Sequence, residues 1–231
     1  IIPVFKIGKL TIAPSDPNVV YVGTGEGNPR NSASVGDGVY KSIDAGDHWT
    51  KLGLPDTDKI ARIVVDPRNP DIAYIAALGH TWGPSEERGL FKTTDGGATW
   101  KKILYKNDLT GCSDVDIDPT NANVVYAGLF TFRRWAWYTD SGGGETAVYK
   151  SADGGATWPR LSGPGATRGL PRGAMDRIGI SVARSQPNIV YVLSETKDEG
   201  ELWRTDDAGT TWRTVNRDPN INFRPFYYSD I

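Results

Sequence analysis

The chain has 231 residues, with 26 Lys and Arg against 28 Asp and Glu and a formal net charge of −2. That near-neutral balance argues against a nucleic-acid binder, which carries a basic stripe, and no apolar run approaches the length of a membrane span. One cysteine, Cys112, excludes an internal disulfide, and one Cys with two His, His48 and His80, argues against a zinc site of Cys and His.

Abundant Gly (27) and Trp (8) with a single Met favour short strands and tight turns over helices. The opening segment, IIPVFKIGKL, has neither the basic stretch nor the long apolar stretch of a secretory signal. A mature secreted protein would have lost one, so the compartment stays open.

In chain order the sequence repeats with a period of roughly fifty residues, the length of a four-stranded propeller blade. The units fall near 7–52, 60–104, 112–161 and 177–215, and Phe226 to Ile231 reads as the entry to a fifth. Within a unit, strand one is an apolar run such as Ile63 to Val65. An Asp-Pro-x-Asn-Pro turn leads to strand two, Ile72 to Ala76. A longer loop precedes strand three, Leu90 to Thr93, and a tight turn leads to strand four from Trp100. The predicted fold is all-β: a propeller of four-stranded antiparallel blades, about four blades plus the start of another. A ring normally closes on itself, so the expectation is one partial propeller domain over 1–231, belonging to a larger ring; a small distorted ring is the alternative.

The tight turn follows the pattern Ser/Thr-x-Asp-x-Gly-x-Thr-Trp. Its aspartates are Asp44, Asp95, Asp153 and Asp207, and its tryptophans are Trp49, Trp100, Trp158 and Trp212; the first copy departs, with His48 at the Thr position. The carboxylate is suited to accept hydrogen bonds from nearby backbone N–H groups. The glycine can take positive φ, and the tryptophan can bury a large ring between blades. Four copies of one turn cannot all serve one active site, so these aspartates read as turn staples rather than catalytic groups or calcium ligands.

Four such matches at a regular period resemble the Asp-box, or bacterial neuraminidase, repeat of sialidases, xyloglucanases, sortilin-type receptors and a photosystem assembly factor. GVYKSIDAGDHWTKLGL, PDIAYIAALGHTWGPSEERGLFKTTDGGATWKKIL and RPFYYSDI are most similar to the bacterial sortilin-like propeller proteins often labelled glycosyl hydrolase. The resemblance covers essentially the whole chain. It implies structural, peripheral Asp boxes and a propeller that opens a much longer chain.

Antiparallel connections alternate between blade ends, so the aspartate turns and the Asp-Pro turns are expected on one face. The longer, dissimilar loops fall on the other, where binding usually sits. The third unit's loop is the richest, with Arg133, Arg134, Trp135, Trp137 and Tyr138; arginine and aromatics suit binding hot spots and sugar recognition. The bland alternative tucks those aromatics onto a neighbouring blade. His80 and Trp82, beside Glu86, Glu87 and Arg88, read as a packed loop before a catalytic group.

At the central channel, Lys9, Arg62, Asp114, Gly179 and Asp230 occupy equivalent positions, with Arg177 nearby. Mixed charges there suit a polar ligand, or simply pair Arg62 with Asp114. Asp114, Asp116 and Asp118 lie along a strand without a calcium-loop glycine, so no metal is expected, and no cofactor is.

The function expected from these features is a non-catalytic, extracytoplasmic recognition propeller, binding a protein or glycan and joined to the rest of its own chain or to a complex. One alternative is a glycoside hydrolase, which needs two carboxylates, or a tyrosine with a carboxylate partner. Glu26, Glu86, Glu145, Glu195 and Asp176 are available, but Ile2-Pro3 has no arginine before it to complete a sialidase Arg-Ile-Pro motif. A second alternative is a subunit or assembly factor of a larger complex.

Overall fold

The computed structural model describes residues 2, 6–30, 32–222 and 231. Among the described residues, sixteen strands form four antiparallel sheets, each a blade of a β-propeller. Blade 1 holds β1 (Ile7–Ala13), β2 (Asp16–Thr24), β3 (Val39–Ser42) and β4 (Thr50–Gly53). Blade 2 holds β5 (Ile60–Asp66), β6 (Asn69–Ala77), β7 (Gly89–Thr93) and β8 (Lys101–Leu104). Blade 3 holds β9 (Thr110–Ile117), β10 (Val125–Arg134), β11 (Thr139–Ser141) and β12 (Ala147–Ser151). Blade 4 holds β13 (Gly179–Val182), β14 (Val190–Leu193), β15 (Leu202–Thr205) and β16 (Arg213–Asn216). Blades 1, 2 and 4 are simple meanders in which each strand pairs with the next. The expected entry to a further blade at 226–231 falls largely outside the described residues.

Blade 3 departs from that pattern. Its expected fourth strand shrinks to a single bridge between Tyr149 and Arg160. Pro159 occupies the position that Lys101 and Arg213 hold in blades 2 and 4, and proline has no N–H to donate to a ladder. The fourth strand of this sheet is instead β11, which pairs with the far end of β10.

The core lies between blades rather than within them. Val64, Tyr74 and Leu90 of blade 2 pack with Cys112, Val115, Val125 and Leu129 of blade 3. Tyr126 and Val148 of blade 3 pack with Ile178, Ile180, Val192 and Trp203 around blade 4. Removing this apolar surface from water is the main favourable term in the assembly.

The aspartate turns act as staples, each in the same way. In the second, the Thr93 hydroxyl donates to Asp95 Oδ1 at 2.7 Å and accepts from the Gly97 N–H at 2.9 Å. Asp95 then accepts from the Thr99 N–H at 2.9 Å and the Thr99 hydroxyl at 2.6 Å. The first copy tolerates His48 because its Nδ1 lies 2.7 Å from Asp44 Oδ2, where the threonine hydroxyl sits elsewhere. Glycine is required where φ is +105° at Gly46 and +96° at Gly97. The tryptophans are less deeply placed than expected. Trp212 is buried, whereas Trp49, Trp100 and Trp158 are half-buried; Trp100 and Trp158 pack against the cores between blades.

Each aspartate turn also bonds the Asp-Pro-type turn of its own blade: the Ala45, Gly96, Gly154 and Ala208 N–H groups donate to Asn18, Asp71, Asn123 and Asn188 carbonyls at 2.8–2.9 Å. Both turn families therefore share one face. The next blade is fastened at the same corner. Tyr126 and Lys150 of blade 3 each donate to the Ala208 carbonyl at 2.7 Å. Tyr74 and Lys92 of blade 2 bond the Gly154 carbonyl at 3.3 and 2.7 Å, and Lys41 of blade 1 reaches Gly96 at 3.3 Å.

Nearer the axis, buried carboxylates join blade 3 to blade 4. Asp114 accepts from the Val115 and Ile180 N–H groups at 2.9 and 2.8 Å, and Asp116 does the same for Ile117 and Val182. Asp114→Ala strands two buried amides and is expected to cost about 3 kcal/mol, measured by urea denaturation. At the turns, hydrogen bonds led by the threonine side chains hold Asp95 and Asp207 at about 2, below the ordinary 3.8. A carboxylate lowered by folding stabilises the native state above its unfolded value and ceases to as pH falls through its folded one. A doubly substituted Asp95→Asn, Asp207→Asn protein should therefore lose less stability than wild type between pH 3.8 and about 2, read by acid titration of the melting temperature.

Candidate functional site

The segments on the face opposite the two turn families differ from blade to blade. In blade 3 the expected loop is a hairpin. β10 runs on to Arg134 and returns as β11, with Phe132, Arg133 and Arg134 opposite Ser141, Asp140 and Thr139. Alternation explains the extension: Phe130 and Phe132 point inward and stack at 5.1 Å, beneath the buried guanidinium of Arg88, which sits 4.3 Å from the Phe132 ring. Arg88 is a residue that sequence reasoning treated only as loop context. It donates to the carbonyls of Leu109, His80 and Gly83 at 2.9, 2.6 and 3.3 Å and thereby ties the blade 2 loop in place. That loop leaves His80 exposed and Trp82 half exposed.

Arg133, Trp135, Trp137 and Tyr138 gather at the hairpin tip. Arg133 stacks on the Trp135 ring at 3.6 Å, and the three aromatic rings lie 5.9–6.3 Å apart. Arg134 faces the other way: its N–H donates to the Thr81 carbonyl at 2.8 Å and its guanidinium to the Thr139 hydroxyl, so it anchors the hairpin to blade 2.

At the foot of the hairpin, Ser141 and Gly142 form one wall of a cleft of about 270 Å³. Ala174, Met175 and Asp176, entering blade 4, and Glu195, Thr196 and Lys197, leaving β14, form the rest. A bridge between Met175 and Thr196, with the Asp176 N–H donating to the Glu195 carbonyl at 3.1 Å, sets Asp176 and Glu195 side by side. Asp176 is half-buried and accepts from the Ser141 hydroxyl at 2.5 Å and the Arg177 N–H at 2.6 Å. Burial pushes its carboxyl up despite those bonds. Glu195, at the exposed rim, is raised by burial and by the neighbouring Asp176 charge. The sequence offered both residues as carboxylates but carried no signal that pairs them.

The channel residues meet differently. Arg62 Nε lies 3.5 Å from Asp114 Oδ1, the mutual pairing expected as the structural alternative. Arg177 donates to Asn28 Oδ1 at 3.0 Å across the arc, beside a 210 Å³ cavity lined also by Lys6, Lys9 and Glu26. Asp230 lies outside the described residues. The four turn aspartates are spread over four blades on the opposite face and converge on nothing.

The fold is that of a β-propeller with four-stranded blades, and the comparisons with known proteins narrow its likeness. No family model matches the chain. It is 26% identical to a xyloglucanase of Paenibacillus sp over 93% of its length and 21% of that protein. It is 27% identical to a xyloglucanase of Hypocrea jecorina over 90% of its length and 26% of that protein. Among solved structures it superposes on an ancestral GH74 enzyme with a TM-score of 0.66 at 20% identity, covering 93% of this chain and 25% of that one. The GH74 xyloglucanase from Xanthomonas campestris gives 0.59 at 18% identity, covering 88% and 29%. The chain thus spans about a quarter of the length of the curated relatives it matches.

The coupling between the two carboxyls is open to measurement. Asp176→Asn should lower the Glu195 titration midpoint, because a like charge is removed. Ser141→Ala should raise that of Asp176, because a bond to the charged form is lost. Carboxyl-carbon NMR titration reads both.

Proposed function

We propose that the chain is the propeller portion of a glycoside hydrolase that cleaves a polysaccharide, with Asp176 and Glu195 as its acid and base. The observation that carries this reading is the pairing of these two carboxyls in one open cleft on the variable face, both raised in pKa by their surroundings. Similarity to xyloglucanases over nine-tenths of the chain supports a hydrolase over the sortilin-like receptor expected from the sequence. A xyloglucan-type β-glucan is accordingly the first substrate to test. A polysaccharide is too large to enter a cell intact, which agrees with an extracytoplasmic protein.

In this reading Asp176, the more buried carboxyl, holds the proton and donates it to the glycosidic oxygen as the bond to the anomeric carbon breaks. The bonding pair stays on that oxygen. Glu195, at the solvent edge, takes a proton from the water that attacks the anomeric carbon, so one water is consumed per bond cleaved. Ser141 and the Arg177 amide hold Asp176 in place. The Ser141 hydroxyl also couples the hairpin to the cleft.

The test is release of reducing ends from xyloglucan and from unbranched β-glucan by the full-length protein. Asp176→Asn and Glu195→Gln are each expected to lower kcat by roughly 10²–10⁴-fold with KM little changed. Unchanged turnover in both folded variants would remove these residues from the mechanism.

A further inference from the structure

The β10–β11 hairpin carries a feature that the hydrolytic chemistry does not use. Its turn is closed by the Trp135 N–H donating to the Tyr138 carbonyl at 2.8 Å, which places Ala136 and Trp137 at the corner. Trp137 is 79% exposed and Tyr138 45% exposed. Tryptophan stabilises proteins chiefly through the large area it buries, and at this corner that area faces water. Its ring nonetheless lies within 6.3 Å of Trp135 and 6.2 Å of Tyr138, so the exposed surface is part of an ordered aromatic cluster.

The polar groups beside the cluster are unspent. The Arg133 side chain stacks on Trp135 and makes no hydrogen bond or ion pair among the described residues; its Nε is buried without a partner. Directly across the ladder, Asp140 accepts from Trp135 Nε1 at 2.8 Å through Oδ2. Its other oxygen has no partner among the described residues. One cationic donor and one anionic acceptor thus stand opposite each other next to a stack of aromatic rings. Behind them the hairpin is braced by Arg134 on Thr81 and Thr139 and by the Phe130–Phe132–Arg88 stack, so it does not have to be ordered when a ligand arrives.

We propose that the hairpin tip is a docking subsite for a neutral polysaccharide, in which Trp137 and Tyr138 stack on sugar rings while Arg133 and Asp140 bond the sugar hydroxyls. The occupant follows from the chemistry. The C–H faces of pyranose rings cover aromatic rings, and their hydroxyls both donate and accept, which matches an adjacent acceptor and donor. A carboxylated glycan that reached Arg133 would also meet Asp140, with Asp176 and Glu195 at the hairpin foot, and so is disfavoured. The inference rests on the reading that the protein acts on a polysaccharide, but it concerns binding and not cleavage.

Affinity electrophoresis of the full-length protein through gels containing xyloglucan, mixed-linkage β-glucan or polygalacturonate tests it, with thermal melting as the control for folding. The wild type is expected to be retarded by a neutral glucan and not by polygalacturonate. Trp137→Ala should weaken retardation at least tenfold without changing the melting temperature, because the ring is exposed. Arg133→Gln, which leaves the hairpin tip in place, should weaken it to a lesser degree. Asp176→Asn should be retarded like wild type, which separates this subsite from the proposed catalytic pair. Retention of full affinity by Trp137→Ala, absence of wild-type retardation by either neutral glucan, or preference for polygalacturonate would each overturn the proposal.

Discussion

A tyrosine hydroxyl and a lysine ammonium on one blade, both bonding the backbone carbonyl at the corner of the next blade's aspartate turn, hold this structure in register. Blades 2 and 3 make the pair in full, and blade 1 makes it through Lys41 with Tyr21 bonding the Pro70 carbonyl beside it. The carbonyl can be presented only if the turn is rigid, and the turn is rigid because a Ser or Thr hydroxyl and an Asp carboxylate bond its N–H groups. A local motif therefore becomes an inter-blade fastener. The apolar core, which also lies between blades, is closed by the same contact.

The fastening has a consequence for function. One face of the propeller is committed to short, bonded turns that cannot vary without loosening the next blade. The opposite face is released from that duty. There blade 3 extends β10 by several residues, folds back as β11, and sets an aromatic tip above the cleft that it shares with blade 4. Pro159 contributes to the same asymmetry: it weakens the usual fourth strand, and the sheet regains its fourth member on the variable side.

Much of the fold was legible in the sequence. The gapless repeats of the aspartate turn gave the strand order of blades 1, 2 and 4, the blade period and the shared face of the two turn families, because each depends on residues a few positions apart. His48 looked like an exception and is a chemical substitute, its ring nitrogen standing where a hydroxyl stands elsewhere. The aromatic run 133–138 was also visible, but its form was not. It reads as a loop until Phe130 and Phe132 are seen stacked under Arg88, a contact between blades.

The sequence by itself determined the repeating unit, since hydroxyl, carboxylate, glycine and strand alternation act over a few residues. Only the tertiary structure decided which distant groups meet. Asp176 and Glu195 belong to different segments, and nothing in their spacing pairs them; the bridge between Met175 and Thr196 sets them side by side, and packing against the blade 3 hairpin adds Ser141 to the same cleft. Likewise Asp114 and Asp116, two aspartates along one strand, each give one oxygen to an amide of the next blade, that of Ile180 and that of Val182. The physical reason is the same in each case: a buried polar group takes its role from the partner that folding supplies, and that partner lies far away in the chain.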